Sequence, residues 1–88
     1  FSPNGDGVND LFQPFLAPGL QINRYRFAVF DRWGNQVFES ADPNQGWNGT
    51  YRGRALPAGV YVYFVDIDFT DEDGPQQLVE SGEVAIVR

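Results

Sequence analysis

Alternation of apolar and polar residues marks two long strands in this chain of 88 residues. In the strand predicted at residues 22–30, one face carries Tyr25, Phe27 and Val29, and the other carries Arg24, Arg26 and Ala28, with Phe30 adding an apolar residue at the end of this second face. This period of two is typical of a half-buried antiparallel strand. Residues 59–69 are apolar on both faces at first and become acidic on one face at Asp66 and Asp68. That pattern predicts a central strand whose far end lies in solvent.

Turn residues divide the rest of the chain into shorter segments. Residues 31–35 contain a glycine and are followed by an alternating segment at 36–39, which predicts a β-hairpin. Residues 76–81 and 82–88 are predicted to complete the sheet, with Gly82 as a bulge or kink between them. Short strands separated by regular turn signals predict an all-β fold, an antiparallel β-sandwich of about seven strands. No segment predicts a helix.

The opening loop, residues 1–12, is rich in glycine and in side-chain oxygens and is bracketed by Phe1 and Phe12. With Gly7 at the sharp turn of a calcium loop, alternate residues supply oxygen ligands. These candidate ligands are Ser2, Asn4, Asp6, the Val8 carbonyl and Asp10. Gln13 stands where a bidentate glutamate would close the site, so Asx-turns that hold an ion-free loop are an equal alternative. Under both interpretations the loop is structural.

Trp33 and Trp47 each lie beside a glycine in a predicted turn. An exposed tryptophan would form a platform for a sugar or a protein partner. A buried one would cover one end of a small core, to which a large ring contributes much apolar area. Because the domain is small, we expect both indoles to be buried.

Acidic residues are concentrated at the end of the central strand and in the turn after it, and they could bind a second cation. Such runs more commonly form a solvated hairpin that protects a sheet edge from aggregation, which is the interpretation we favour. The residues are Asp66, Asp68, Asp71, Glu72 and Asp73.

Composition narrows the classes of function. The net charge is −6 and all six cations are arginines, a balance that disfavours nucleic acids and anionic membrane surfaces as partners. No apolar run approaches the roughly 20 residues that span a bilayer. Histidine and cysteine are absent, so the usual general base and nucleophilic dyads are missing. We therefore expect a single domain over residues 1–88 that is not an enzyme.

Four blocks of sequence together resemble a known family. They are FSPNGDGVNDLF at 1–12, FAVFDRWGNQVFES at 27–40, GWNGTYRGRALPAGVYVYFV at 46–65 and GEVAIVR at 82–88. In this order and spacing they resemble the type B C-terminal sorting domain of the Bacteroidetes type IX secretion system, also called the gliding motility-associated C-terminal domain. Asp31 and Asn48 depart from the Asn and Asp usual at these turns, and both replacements are nearly isosteric.

The resemblance implies an Ig-like, monomeric C-terminal domain that directs a large cargo protein to the cell surface or exterior. It implies outer-membrane translocon components as partners, including a PorP/SprF-like protein, without direct insertion into the membrane. It also implies that Arg88 lies at or near the native C-terminus. A partner could add a strand to an edge offered by the C-terminal segment. Alternatively, it could dock on a surface that includes Arg32, Trp33 and Gly34.

A different class of function is a calcium-stabilised adhesion or carbohydrate-binding Ig-like module. It predicts Trp33 or Trp47 exposed on a flat face. A purely structural spacer is the third alternative.

Overall fold

The computed structural model describes residues 11–14 and 19–87 of the chain, and in these residues all regular structure is β. The described residues form six strands, against the predicted number of about seven, and the predicted all-β class is confirmed. The strands are β1 (Gln21–Phe30), β2 (Gln36–Ser40), β3 (Thr50–Tyr51), β4 (Arg54–Ala55), β5 (Gly59–Asp71) and β6 (Gly74–Ile86). None of the described residues lies in a helix long and apolar enough to cross a lipid bilayer.

A four-stranded antiparallel sheet with the order β2-β1-β5-β6 forms the larger layer. The central strands are β1 and β5, which are the two strands with the strongest sequence patterns. The short β3–β4 hairpin forms a separate two-stranded sheet. Phe12 and Trp47 form an isolated antiparallel bridge outside these strands, and they exchange two backbone hydrogen bonds of 2.8 Å each.

The core lies on one face of the four-stranded sheet, where the predicted alternation places the large side chains of β1 and β5. Phe27 and Trp47 are fully buried there. Trp47 packs edge-on against Tyr61 at 5.3 Å, and its indole N–H donates to the Thr50 carbonyl at 3.1 Å. The other buried apolar members of this cluster are Tyr25, Val29, Val37, Tyr61, Val65, Ile67, Val84 and Ile86.

The Tyr61 hydroxyl ties the start of β5 to the turn before it by donating to the Pro57 carbonyl at 2.8 Å. A tyrosine that bonds the backbone a few residues upstream is also a feature of Ig-like sandwiches, where it fixes a corner between strands. The sequence block that predicted the strongest strand therefore also orients its entry into the sheet.

The opposite face of the sheet carries ion pairs between neighbouring strands. Arg24 bonds Asp66 at 2.9 Å and Asp68 at 3.0 Å, and Arg26 bonds Glu39 at 3.0 Å. Arg24 is thus paired with the acidic end of β5 and Arg26 with β2, although exposed pairs of this kind contribute little stability each.

The predicted break at Gly82 is wrong. β6 is one strand of 13 residues, and it pairs with β5 from Gly59↔Ile86 to Asp71↔Gly74 without a shift of register. Gly82 is needed for a different reason: the Tyr63 ring lies across it, and a Cβ at this position would be 2.8 Å from the tyrosine hydroxyl oxygen.

Candidate functional site

The turn between β1 and β2 is built around Asp31. Its amide donates to the Asn35 carbonyl at 2.9 Å, and its carbonyl accepts from the Gly34 amide at 3.1 Å. Its carboxylate Oδ1 accepts from the amides of Trp33 and Asn35, both at 2.9 Å, and Oδ2 accepts from Asn35 Nδ2 at 3.1 Å. Gly34 has φ of 85°, a left-handed conformation that favours glycine. The turn is therefore held by five hydrogen bonds.

These hydrogen bonds set the charge state of Asp31. Desolvation alone would raise the pKa of its carboxyl group, but the hydrogen bonds from Asn35 and Trp33 and the charge of Arg32 outweigh it, so the pKa is lowered. Asp31 thus remains an anion that accepts three hydrogen bonds. An asparagine at this position has only one side-chain acceptor oxygen. Its NH2 group would face the donor Nδ2 of Asn35, so that hydrogen bond would be lost.

Trp33 projects from this rigid turn into solvent, with 74% of its surface exposed. The Arg32 guanidinium lies over its ring, 4.6 Å from the centroid, in cation–π geometry. The expectation that both tryptophans are buried is therefore correct for Trp47 and wrong for Trp33.

A groove of about 480 Å³ lies beside Trp33. The Asp31–Arg32–Trp33 segment forms one wall, residues 57–62 form another, and Glu83 of β6 closes it. Val60 and Val62, which are 54% and 41% exposed, add apolar surface to the groove. The topology thus brings the predicted partner-binding turn next to the start of β5 and to the last part of β6.

The candidate calcium ligands Asn4, Asp6, Val8 and Asp10 lie outside the described residues. Across residues 11–14 and 19–87, no group of three or more acidic side chains is arranged to hold a metal ion.

The acidic residues at the end of β5 and in the turn after it take part in several separate interactions. Asp66 and Asp68 both pair with Arg24, and the hydrogen bond from this arginine is the main cause that lowers the pKa of Asp66. Asp71 Oδ1 accepts the Asp73 amide at 2.8 Å in the hairpin tip. The acidic run thus acts in ion pairs and in a turn.

Comparison with protein families identifies the group to which this structure belongs. The model of the CHU_C type IX secretion signal domain matches residues 1–84, which is nearly the whole chain. The chain belongs to this family. No curated protein and no solved structure shows significant similarity to it.

Membership confirms the family resemblance seen in the four sequence blocks. A type IX secretion signal domain is a C-terminal sorting signal, and it implies export to the cell surface or exterior. It also implies interaction with the secretion system, and the family is not enzymatic.

Two features of this region were missed by reasoning from sequence. The position of Arg32 over the Trp33 ring requires the turn geometry, although an arginine next to an aromatic residue is a usable signal. The continuous strand β6 was missed because Gly82 was interpreted as a bulge or kink between two segments. The signal that could have found it is a large aromatic residue, Tyr63, in the neighbouring strand.

Proposed function

We propose that this domain directs an attached cargo protein through the type IX secretion system, and that the machinery recognises the folded domain at the Arg32–Trp33–Gly34 turn. The observation that carries this proposal is the 74% exposure of Trp33 on a turn fixed by five hydrogen bonds. A large exposed apolar side chain on rigid backbone loses little conformational entropy when it is buried by a partner.

Tryptophan and arginine are the residue types most enriched at the energetic centres of protein interfaces. Here they are stacked, so an indole pocket in the partner would bury Trp33 while Arg32 reaches a carboxylate or carbonyl at its rim. No salt bridge of Arg32 occurs within the described part of the chain, in contrast to Arg24 and Arg26. We propose a PorP/SprF-like outer-membrane protein as the component that supplies this pocket.

The test is an export assay with a signal peptide, a fluorescent reporter and residues 1–88 fused in that order, in a host with type IX machinery. Trp33→Ala should reduce reporter at the surface or in the medium by at least about tenfold, the effect of losing about 1.4 kcal/mol of binding. Tyr51→Ala is the matched control, because Tyr51 is also exposed and Arg52 lies 5.1 Å from its ring centroid. It should export within about twofold of wild type.

Two outcomes would contradict the proposal, and they are distinguishable. A wild-type fusion that stays in the periplasm removes the sorting role of this segment. A folded Trp33→Ala variant that is exported like wild type leaves the sorting role and removes the Trp33 turn as the recognition surface.

We also propose that Ca²⁺ stabilises the opening loop through Asn4, Asp6, the Val8 carbonyl and Asp10. The support is the alternate spacing of oxygen-bearing residues in the sequence. An ion at a hundredfold excess over its Kd would add about 2.7 kcal/mol to the free energy of unfolding.

Thermal melting tests this ion. Asp6→Ala and Asp10→Ala should lower the melting temperature, EDTA should have the same effect on wild type, and Asp73→Ala at the exposed hairpin tip should have none. If EDTA changes nothing while Asp6→Ala still destabilises, the loop is held by Asx-turns without an ion.

A second candidate function is carbohydrate binding, which is favoured by the exposed Trp33 ring beside the 480 Å³ groove. An indole face on a groove is a suitable platform for a sugar ring. This function predicts a signal on a glycan array that Trp33→Ala abolishes and Tyr51→Ala retains. Absence of any glycan signal from the folded domain would remove it.

A further inference from the structure

The four-stranded sheet ends in two unlike edges. Strand β2 has five residues, its pairing with β1 shifts register between Val29 and Phe30, and β3 lies against it. Strand β6 has 13 residues in unbroken register with β5. Among the described residues, no strand pairs with the other side of β6. One edge is therefore short and irregular, and the other is long and regular.

Natural proteins usually protect a long edge with bulges, prolines, lysines or a short strand. In β6 the proline, Pro75, precedes residues 76–83, and these eight residues contain no register shift and only two charged side chains, Glu80 and Glu83. They exceed the usual strand length of about five or six residues. Leu78 and Val79 are 42% and 55% exposed on this segment. The edge is thus a suitable template for an added strand.

A cavity of about 270 Å³ reaches this edge on the core side of the sheet. Leu78 and Glu80 of β6 line it, the buried residues Phe27 and Val65 are part of its apolar lining, and residues 12–14 form another wall. A strand beside β6 would direct alternate side chains to this face, since side chains alternate along a strand. The edge is therefore accompanied by an apolar cavity, the combination by which added strands gain both affinity and specificity.

Charge restricts what can occupy the edge. Glu80 and Glu83 are exposed on β6 and make no salt bridge with any described residue; Glu80 accepts one long hydrogen bond from the Tyr63 hydroxyl at 3.3 Å. A second copy of this chain would bring the same acidic segment and another net charge of −6 against them, which is unfavourable for cross-strand pairs. A basic segment is complementary.

We infer that residues 76–83 of β6 accept an extended segment of the secretion machinery as an added strand. This segment is basic opposite Glu80 and Glu83 and apolar where it faces the cavity at Leu78. The inference rests on the proposed sorting function. Glu83 also lines the groove beside Trp33, so the groove and the edge segment share this residue.

Proline substitution tests the backbone part of this inference in the same export assay. Adjacent amides of a strand point to opposite sides, so one of Val79→Pro and Glu80→Pro removes an amide that faces the open edge. The proline variant that keeps the wild-type melting temperature should lose export by about tenfold, equivalent to about 1.4 kcal/mol. Val79→Ala and Glu80→Ala are the controls, so that the difference between proline and alanine at one position reports the amide. A folded edge-facing proline variant that exports like its alanine control overturns the inference.

Charge reversal on the edge is a second, independent test of the inference. It remains informative when neither proline variant folds. Glu80→Lys should reduce export several-fold, whereas Glu72→Lys, the same change at the exposed hairpin tip, should export within about twofold of wild type. Equal export of both folded variants overturns the inference. A wild-type domain that is dimeric in analytical ultracentrifugation, and becomes monomeric with Glu80→Lys, also overturns it. The inference and the proposed function can fail separately. If the wild-type fusion and the edge variants are exported but Trp33→Ala is not, the proposed function stands and only this inference is contradicted.

Discussion

The Tyr63 ring lies across Gly82 on the neighbouring strand and closes a gap that the glycine leaves in the sheet face. The two residues are directly opposite in the β5–β6 register, and a Cβ on Gly82 would lie 2.9 Å from the ring atoms Cε1 and Cζ. Tyr63 also contacts Phe12 edge-on at 5.3 Å. This packing lets β6 continue straight through a residue that otherwise weakens strands.

Gly82→Ala should lower the free energy of unfolding by about 1–3 kcal/mol, the usual cost of inserting atoms into a packed site. The added methyl group displaces the Tyr63 ring and its contact with Phe12. Denaturant unfolding measures the effect, with Ser81→Ala as the neighbouring control, expected within about 0.5 kcal/mol. In a Tyr63→Ala background the cost of Gly82→Ala should largely disappear. A Gly82→Ala variant as stable as wild type would refute this packing.

The two tryptophans should differ sharply in their contribution to stability. Trp47→Ala should cost about 3–5 kcal/mol, because it removes a fully buried ring and a hydrogen bond to Thr50. Trp33→Ala should cost at most about 0.5 kcal/mol, since the ring is exposed. Chemical denaturation checks both, and iodide should quench the fluorescence of Trp33 and spare Trp47. Equal destabilisation by the two substitutions would contradict the structure.

The Asp31 turn should make stability depend on pH in the acid range. The folded pKa of this carboxyl group lies below its ordinary value of 3.8, because the turn hydrogen bonds favour the anion over desolvation. Its stabilisation is therefore complete above the unfolded pKa and is lost as pH falls through the lower folded pKa. The melting temperature of wild type should exceed that of Asp31→Asn at neutral pH, and the difference should shrink towards about pH 2. A difference that stays constant with pH would count against the ionised turn.

Tyr25 carries a buried hydroxyl group for which the described residues provide no hydrogen-bond partner. Burial, followed by the charge of Asp42, raises the pKa of Tyr25 to about 12. Tyr25→Phe should therefore be neutral or stabilising by about 1 kcal/mol, since it removes an unsatisfied buried polar group. Wild type should also lose stability as pH rises from about 10 towards 12, and the phenylalanine variant should lose less. A clear destabilisation by Tyr25→Phe would show that the hydroxyl group has a partner.

Local sequence was sufficient to predict the central strands, the β1–β2 hairpin and the buried position of Trp47. Period-two alternation reflects which face of a strand packs on the core, and it is visible in the order of neighbouring residues. Gly82 and Trp33 were misinterpreted for a common reason: the outcome depended on residues distant in the chain. Whether a glycine breaks a strand depends on the residue opposite it, and whether a turn aromatic is buried depends on which segment covers it.

The sequence by itself determined the all-β class, the antiparallel sandwich, the absence of the usual catalytic groups and membership of the type IX secretion signal domain family, because these depend on composition, alternation and ordered motifs. The tertiary structure decided that Trp33 faces solvent with Arg32 stacked on it, that Glu83 lies beside the same groove, and that β6 is one long strand at the edge of the sheet formed by the described residues. These facts depend on pairing between residues about 20 to 50 positions apart, for example Phe30↔Val62 and Val62↔Glu83, and no local pattern specifies such pairing.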